Sequence, residues 1–395
     1  MHKPIGSIFT LVGGGTPSTK DERYWGKGIP WFSSADIDRF GAIKNRKTVT
    51  ELGVENSTTN IVEQGTVVVV TRVGLGKVAL LPCDMCFSQD IQALIPKNTG
   101  EVFGPFTFYQ LQYIMQSLRY KGQGTTISGI TKKQLADVNF YLPVHSEQER
   151  IVSKIEELFS KLDASVAELQ TAKEKLKVYR QAVLEESIPH DFLCAISQCI
   201  ESMGQGWSPR CVNKNSLDDN VWTVVKTTAV QHAYFDYTEN KILPDNLVPR
   251  SQHEIFVGDI LITRAGPRSR CGVCCLVRKT KRRLLNCDKV YQIKPNRDKI
   301  LPEYMEYVLN SPRFLLEINH CKTGGNDSGV NLTQSRFLTI KIPVPALNAQ
   351  EKIVEQIESR LSMCDSIECT IDTSLRQAES LRQSILKQAF EGRLV

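Results

Sequence analysis

Residues 142–163 read LPVHSEQERIVSKIEELFSKLD, and residues 344–365 read VPALNAQEKIVEQIESRLSMCD. At this one offset Pro143 meets Pro345, Gln148 meets Gln350 and Glu149 meets Glu351. Ile151, Val152, Ile155, Glu156 and Asp163 likewise meet Ile353, Val354, Ile357, Glu358 and Asp365. The echo reaches upstream to Ile130-Thr131 against Leu332-Thr333, and downstream to Arg180-Gln181 against Arg382-Gln383. Solenoid units repeat every ~20–50 residues, so a period this long excludes a solenoid. It marks a duplicated module: one globular domain, one helix, then both again. Two alike domains on two alike helices make a pseudo-twofold object suited to a two-part target.

Working outward, residues 147–185 contain no Pro or Gly and carry Glu and Lys on the outside. Ile155, Leu162, Leu169, Leu176 and Val183 take one heptad position, and Ile151, Leu158, Ser165, Ala172 and Tyr179 the other. This is a coiled-coil pattern. At 1.5 Å per residue the helix spans roughly 57 Å, and Pro189 ends it. Residues 348–390 repeat the pattern with Ile357, Cys364, Ile371, Ala378 and Ile385 at one position. Ile353, Arg360, Ile367, Ser374 and Leu381 take the other, with Leu361 and Leu375 widening the stripe. Each stripe needs a partner, and the nearest is the other helix of the chain in an antiparallel pair.

The flanking segments read as mixed α/β domains. In the first, Val67–Thr71 (VVVVT) is a β-branched run of the kind that fills a buried strand. Val78–Leu81 follows after a turn at Gly74 and Gly76, and Val138–Leu142 is a last strand before the helix. Phe108, Leu111, Ile114, Met115 and Leu118 recur at helical spacing within Phe106–Arg119. In the second, Asp259–Thr263 (DILIT) answers VVVVT. The expected division is a domain at 1–145, a helix at 146–188, a domain at 189–345 and a helix at 346–395. The fold class is α/β (mixed α+β): two similar globular domains and two long helices in an antiparallel coiled coil.

The 395 residues suit two or three domains. No apolar run approaches the ~20 residues of a membrane span. The opening MHKPIGSIFTLVGGG is too short in apolar length for a signal peptide. A cytoplasmic protein is expected, and the twelve scattered cysteines are read as reduced thiols. Cys83 and Cys86 form one CxxC and Cys271 and Cys274 another. They fit one shared zinc or four small, half-buried residues. No His or Cys partner stands at finger spacing, which favours the second.

Net charge is +6, and its distribution says more than its sum. From Arg264 to Lys299 there are twelve Lys/Arg against two Asp/Glu, including Arg278, Lys279, Lys281, Arg282 and Arg283. Such a stretch inside a domain fits phosphate contact or a solvated loop. Both domains also carry T-R-x-G after the first strong strand: Thr71-Arg72-Val73-Gly74 and Thr263-Arg264-Ala265-Gly266. A strand-end Arg beside exposed backbone N–H groups suits a phosphate or the O6/N7 edge of guanine. Lys77, Arg268 and Arg270 stand close by. A polar, Gly-rich segment then precedes the last strand of each domain. The first copy holds Lys121, Gln123, Thr125 and Thr126, and the second Lys322, Thr323, Asn326 and Ser328. These residues suit base edges and serve equally as turn formers. The loop Gly13–Lys20 and the stretch Pro30–Asp36 are further candidates, with Trp31 assigned to the core. Catalytic patterns are missing. There is no GxxxxGK[ST], no cofactor-binding glycine fingerprint, no amino-methyltransferase tetrapeptide and no nuclease-like carboxylate cluster.

At this point the residues resemble one family. Ile8-Phe9-Thr10 leading into GGGTPST, then Tyr24-Trp25 and IPWFSSADI, is similar to the opening of target-recognition domains. These belong to the specificity (S) subunits of type I restriction-modification systems. EQERIVSKIEELFSKLD running on to YRQAVL resembles their central helical region. QEKIVEQIESRL running on to RQSILKQAFEGRL resembles the distal one. The family usually carries more residues before the IFTLVGGG-like segment, so a shortened start is expected.

The resemblance implies a non-catalytic subunit that binds a bipartite double-stranded DNA sequence, one domain per half-site. It implies helices that set the spacer and dock two methyltransferase (M) subunits, with endonuclease (R) subunits joining. S-adenosylmethionine, ATP and Mg would act in those partners and no cofactor in this chain. Half-sites about one DNA turn apart, roughly 34 Å, match helices of this length. Two other classes compete. A reader fused to its own nuclease or methyltransferase needs a catalytic motif. A coiled-coil adaptor of another complex leaves the basic stretch unexplained.

Overall fold

The computed structural model describes residues 1–44, 47–121 and 129–394. It divides into two compact units: unit 1 is Met1–Leu169 with Thr373–Val395, and unit 2 is Gln170–Asp372. Each unit holds one globular domain and a stretch of both long helices, His145–Ser187 and Leu347–Phe390.

Unit 1 is organised by a four-stranded antiparallel sheet. Its strands run in the order Phe9–Gly13, Ile91–Pro96, Val67–Val70, Val78–Leu80. The VVVV run is unbroken because both faces of its strand are covered. Val67 and Val69 join the core beneath helix Gly104–Lys121, whereas Val68 and Val70 join a second core with Phe32, Ile37 and Phe87. Alternation sends successive side chains to opposite faces, so an apolar residue is needed at every position. That second core is closed by a three-stranded sheet of Lys47–Val49, Trp25–Phe32 and Cys86–Phe87, the last pair parallel.

Unit 2 repeats the plan. Its four-stranded sheet has the order Ile200–Gln205, Val290–Pro295, Ile260–Thr263, Cys274–Leu276. Ile260 and Ile262 face the core beneath helix Pro302–Asn310, and Leu261 faces the other core. A three-stranded sheet of Asn240–Ile242, Thr223–Val225 and Leu284–Leu285 again contains one parallel pair. Unit 2 also holds a small sheet of Ala265–Gly266, Val330–Leu332 and Lys322–Thr323.

Within each unit the two long helices run antiparallel. In unit 1, Asp163 pairs with Arg382. Ile151, Val152, Ile155 and Phe159 share a core with Ile385, Leu386, Ala389 and Phe390. In unit 2, Lys173 lies 2.6 Å from Asp372, Arg180 2.7 Å from Asp365 and Arg360 3.1 Å from Glu186. Val183 and Leu184 pack there with Tyr307 and Ile357. Two of these ion pairs are repeat partners: Arg180 and Arg382 are matched residues, and so are Asp365 and Asp163.

One expectation about the seam is corrected. Ile155, Leu162, Leu169, Leu176 and Val183 do line it, but Ser165, Ala172 and Tyr179 are exposed. The second position lies one residue further on, at Phe159, Val166, Lys173 and Arg180. The second helix shifts the same way, to Leu361, Glu368, Leu375 and Arg382, leaving Ile367 and Leu381 about half exposed. The polar members decide the phase. Lys173, Arg180 and Glu368 satisfy one another across the helices, which a search for apolar residues alone does not count.

Candidate nucleic-acid interface

The outer sheet strands Phe9–Gly13 and Ile200–Gln205 are each followed by a glycine pressed against a neighbouring backbone. A Cβ on Gly14 would stand 2.2 Å from the Phe87 carbonyl oxygen, and one on Gly206 2.1 Å from that of Asn286. Only glycine permits that approach. The chain beyond is fixed by side chains. In unit 1, Trp31 Nε1 and Thr59 Oγ1 both donate to the Gly15 carbonyl, at 3.0 and 2.6 Å, and Thr16 Oγ1 donates to Gln89 Oε1 at 2.6 Å. Trp31 is buried, as its core assignment required. In unit 2, Ser208 Oγ hydrogen-bonds Asp288 Oδ1 and accepts from the Asp288 N–H at 3.1 Å.

The two T-R-x-G copies do not occupy matching places, which corrects the reading from sequence. The ladders give the register. Val70 N–H donates to the Lys77 carbonyl and the Val70 carbonyl accepts from Gly76 N–H, while Thr263 N–H donates to the Val273 carbonyl and the Thr263 carbonyl accepts from Gly272 N–H. Thr263 is therefore the counterpart of Val70, and Arg264 the counterpart of Thr71. The Thr71 carbonyl accepts from Ile130 N–H, and the Arg264 carbonyl from Leu332 N–H, two residues already matched by the repeat. Both threonine hydroxyls turn inward. Thr71 Oγ1 donates to the Asp90 carbonyl at 3.2 Å, and Thr263 Oγ1 donates to the Arg270 carbonyl while accepting from Val273 N–H at 2.9 Å.

The arginines differ accordingly. Arg264 Nη1 donates to Gln205 Oε1 at 2.8 Å and to the Asp288 carbonyl at 3.0 Å, and the guanidinium lies 5.4 Å from the Tyr291 ring centroid. Arg72 is exposed, its carbonyl accepts from the Leu75 N–H, and its guanidinium has no hydrogen-bond or ion-pair partner among the described residues. Gly74 (φ 87°) turns the chain just beyond Arg72, and Gly266 (φ 145°) lies in the small sheet of unit 2. Lys77 and Arg270 brace their loops internally. Lys77 Nζ donates to the Ser34 carbonyl at 2.9 Å, and Arg270 Nη2 to the carbonyls of Thr227 and Val230 at 3.0 and 2.7 Å.

Arg268 is half exposed and pairs with the open Asp327 at 2.9 Å. Lys322 Nζ donates to the Arg268 carbonyl at 3.3 Å, and burial lowers its pKa. Thr323 bonds the Asn331 carbonyl, and Asn326 and Ser328 are exposed between the strands of the small sheet. In unit 1, Lys121 closes helix Gly104–Lys121, and Gln123, Thr125 and Thr126 lie outside the described residues.

The basic run is divided: Lys281 is buried, whereas Arg278, Lys279, Arg282 and Arg283 remain exposed. Arg278 lies 2.6 Å from the fully buried carboxylate of Glu306. Burial opposes its charge, but the Glu306 hydrogen bond and charge outweigh that and raise its pKa. Lys281 is buried, with Nζ donating to the Val221 carbonyl at 2.7 Å, and burial lowers its pKa. Lys279 and Arg283 lie over the rings of Tyr237 and Trp222. These partners come from distant segments, so no local pattern announces them. Of the CxxC cysteines, Cys86, Cys271 and Cys274 are buried, which raises each thiol pKa, to about 11 at Cys86. Among the described residues no group of three or more His, Cys, Asp or Glu could hold a metal ion.

The architecture defines a class: a duplicated α/β unit carried on paired antiparallel helices, with a strand-end loop cluster in each copy. Residues 1–174 and 211–377 match the family model of the type I restriction modification DNA specificity domain, and the chain belongs to that family. It is 36% identical over 197 residues to the EcoEI specificity subunit of Escherichia coli, covering 49% of this chain and 33% of that one. It is 25% identical over 289 residues to the EcoKI specificity subunit of Escherichia coli (strain K12), covering 69% and 61%. The chain thus spans a third to three-fifths of these two relatives.

Among solved structures, it aligns over 100% of its length with 98% of a chain in work described as the structural basis underlying complex assembly and conformational transition of the type I R-M system. The TM-score is 0.72 at 19% identity. The HsdS subunit from Thermoanaerobacter tengcongensis aligns over 100% and 97%, with a TM-score of 0.56 at 18% identity. Both likenesses concern the fold.

Proposed function

We propose that this chain is the DNA-specificity subunit of a type I restriction-modification complex. Each globular domain reads one half of a bipartite double-stranded target, and the helices set the spacer between the halves. The observation that carries this reading is the duplication itself. Two units share sheet order, glycine-floored loops and helix anchoring while differing in the side chains their strand ends present. A common frame with different exposed residues suits two different half-sites, because base edges are read by side chains and position by the frame.

The paired helices would also dock two methyltransferase subunits, with endonuclease subunits joining the assembly. Methylation and cleavage would then lie in those partners, with their S-adenosylmethionine, ATP and Mg. A cytoplasmic location follows from that role, and no described helix is long and apolar enough to cross a membrane. Methylation needs the base out of the stack, so part of the specificity should come from DNA deformation.

The test is a genome-wide map of methylated bases in the source organism, with and without this gene. Loss of one bipartite adenine-methylated motif is expected. An unchanged map would refute the role in that organism.

A further inference from the structure

The register difference between the two strand-end arginines has a physical consequence. Side chains alternate along a strand, so a shift of one residue carries a side chain to the opposite face. Arg264 stands where Thr71 does, on the face that also receives Gln205 and Tyr291. The matching positions there in unit 1 are Gly13 and Gln92, since Gly13 pairs with Gln92 as Gln205 pairs with Tyr291. Glycine offers no side-chain acceptor, and Gln92 offers no ring. Unit 1 therefore lacks the two side chains that hold the Arg264 guanidinium.

Its own arginine lies one position later, at Arg72, whose counterpart in unit 2 is Ala265. Ala265 is paired in a strand with Asn331. Arg72 instead opens a turn, its stem running beside Gly129, where a Cβ would stand 3.4 Å from Arg72 Cγ. Its guanidinium is left exposed.

We propose that the two units use these arginines differently. Arg72 is a specificity-determining residue that donates to a base edge in the half-site of unit 1, with guanine O6/N7 as the acceptor. Arg264 is an internal brace that ties the end of strand Ile200–Gln205 to the Asp288 backbone and touches no DNA. This rests on the DNA-specificity reading above. It parts from a symmetric scheme in which each half-site meets the same arginine. An exposed guanidinium without a partner among the described residues keeps its donors for a bidentate acceptor, whereas Arg264 has Nη1 committed to an amide and a carbonyl and Nε buried.

The experiment uses the full chain with the methyltransferase subunits of its own system, in the source organism. Methylated motifs are mapped for wild type, R72A and R264A, and the assembled complexes are then tested against duplexes changed at one base pair. R72A is expected to relax one base pair of one half-site, with discrimination there falling roughly 10- to 100-fold. R264A is expected to keep every specified base and to melt at a lower temperature. If R264A does not accumulate, Gln205→Ala removes one of its acceptors and is expected to leave the motif intact.

Two results would overturn the proposal: an R72A motif identical to wild type with uniformly weaker binding, which means a phosphate contact, or relaxation of the other half-site by R264A or Q205A at unchanged melting temperature. Failure of the underlying reading looks different. There, removing the gene leaves the methylated motifs untouched and no variant has a motif to change.

Discussion

Gln148 in unit 1 and Gln350 in unit 2 make the same three hydrogen bonds. Gln148 Oε1 accepts from Phe103 N–H at 2.9 Å, and Nε2 donates to the carbonyls of Glu101 and Pro143 at 2.8 and 2.9 Å. Gln350 Oε1 accepts from Leu301 N–H at 2.9 Å, and Nε2 donates to the carbonyls of Lys299 and Pro345, both at 2.8 Å. Both side chains are fully buried. Each fixes the first turn of a long helix to the segment that begins a domain helix. The repeat keeps a second contact about two turns on. Burial, with a nearby glutamate adding to it, lifts Tyr109 and Tyr307 each to about 12, the glutamates being Glu156 and Glu358.

Gln148→Leu should therefore be costly despite its similar volume. It leaves a buried N–H and two carbonyls without partners, at about 1–3 kcal/mol for each group that water cannot reach. A loss of roughly 2–4 kcal/mol in urea unfolding is expected, with faster hydrogen exchange at the Phe103 amide. Exchange at Phe103 indistinguishable from wild type would show that the clamp does not hold that segment.

The seam makes a second prediction. Phe159 is buried under Arg382, whose guanidinium lies 4.1 Å from its ring centroid, and it meets Tyr109 edge-on. Leu158, the residue that an apolar heptad selects, is only partly buried at the edge of that core. Phe159→Ala should cost about 3–5 kcal/mol. Ser165→Leu, on the exposed side, should change stability by less than about 0.5 kcal/mol. Thermal unfolding of the two variants decides between the two phases, because the apolar heptad places Ser165 inside and predicts a gain there.

These cases show what the sequence carried and what it did not. The duplication, the VVVV and DILI strands and both long helices are written in local patterns of apolar residues. Trp31 was also placed correctly by its context. The helix phase was missed because Lys173, Arg180 and Glu368 are seam residues through ion pairs that join segments far apart in the chain. The arginines were mismatched because the offset between the copies changes along the chain. The helix echo aligns Gln148 with Gln350, but the sheet aligns Thr71 with Arg264, and a strand cannot absorb a one-residue error without exchanging its faces. The internal ties of Arg278 and Lys281 were not legible because their acceptors, Glu306 and the Val221 carbonyl, belong to other segments.

Asp259 gives a pH dependence. It is buried at the start of strand Ile260–Thr263, where Oδ2 accepts from Phe256 N–H at 2.8 Å and from Gln292 Nε2 at 2.6 Å. Burial raises its pKa above the ordinary 3.8, against the lowering pull of those hydrogen bonds. The folded state thus holds the proton more tightly than the unfolded state. Its contribution is greatest below pH 3.8 and is lost as pH rises through the higher folded value. Asp259→Asn can keep both acceptor bonds and removes the buried charge. It should be neutral or stabilising by up to about 1 kcal/mol at pH 7 and should flatten the stability profile just above pH 3.8. A variant profile parallel to wild type would mean that Asp259 does not titrate differently on folding.

The proposed spacer role makes the last prediction, and the antiparallel pairing dictates how to test it. A heptad inserted after Leu169 alone would leave seven residues of one helix without partners, so a matching heptad must follow Asp372, where the second helix passes from unit 2 to unit 1. Seven residues preserve the seam and add about 10 Å of helix, close to three base pairs at ~3.4 Å each. The methylated motif should keep both specified halves and gain about three unspecified base pairs between them. Three base pairs also turn one half-site by roughly 100° about the DNA axis, at ~10.5 base pairs per turn, so efficiency should fall even where the new motif is found. Motif mapping with the doubly extended chain reads both effects. A motif with the original spacing would show that the DNA, and not the helix pair, fixes the distance.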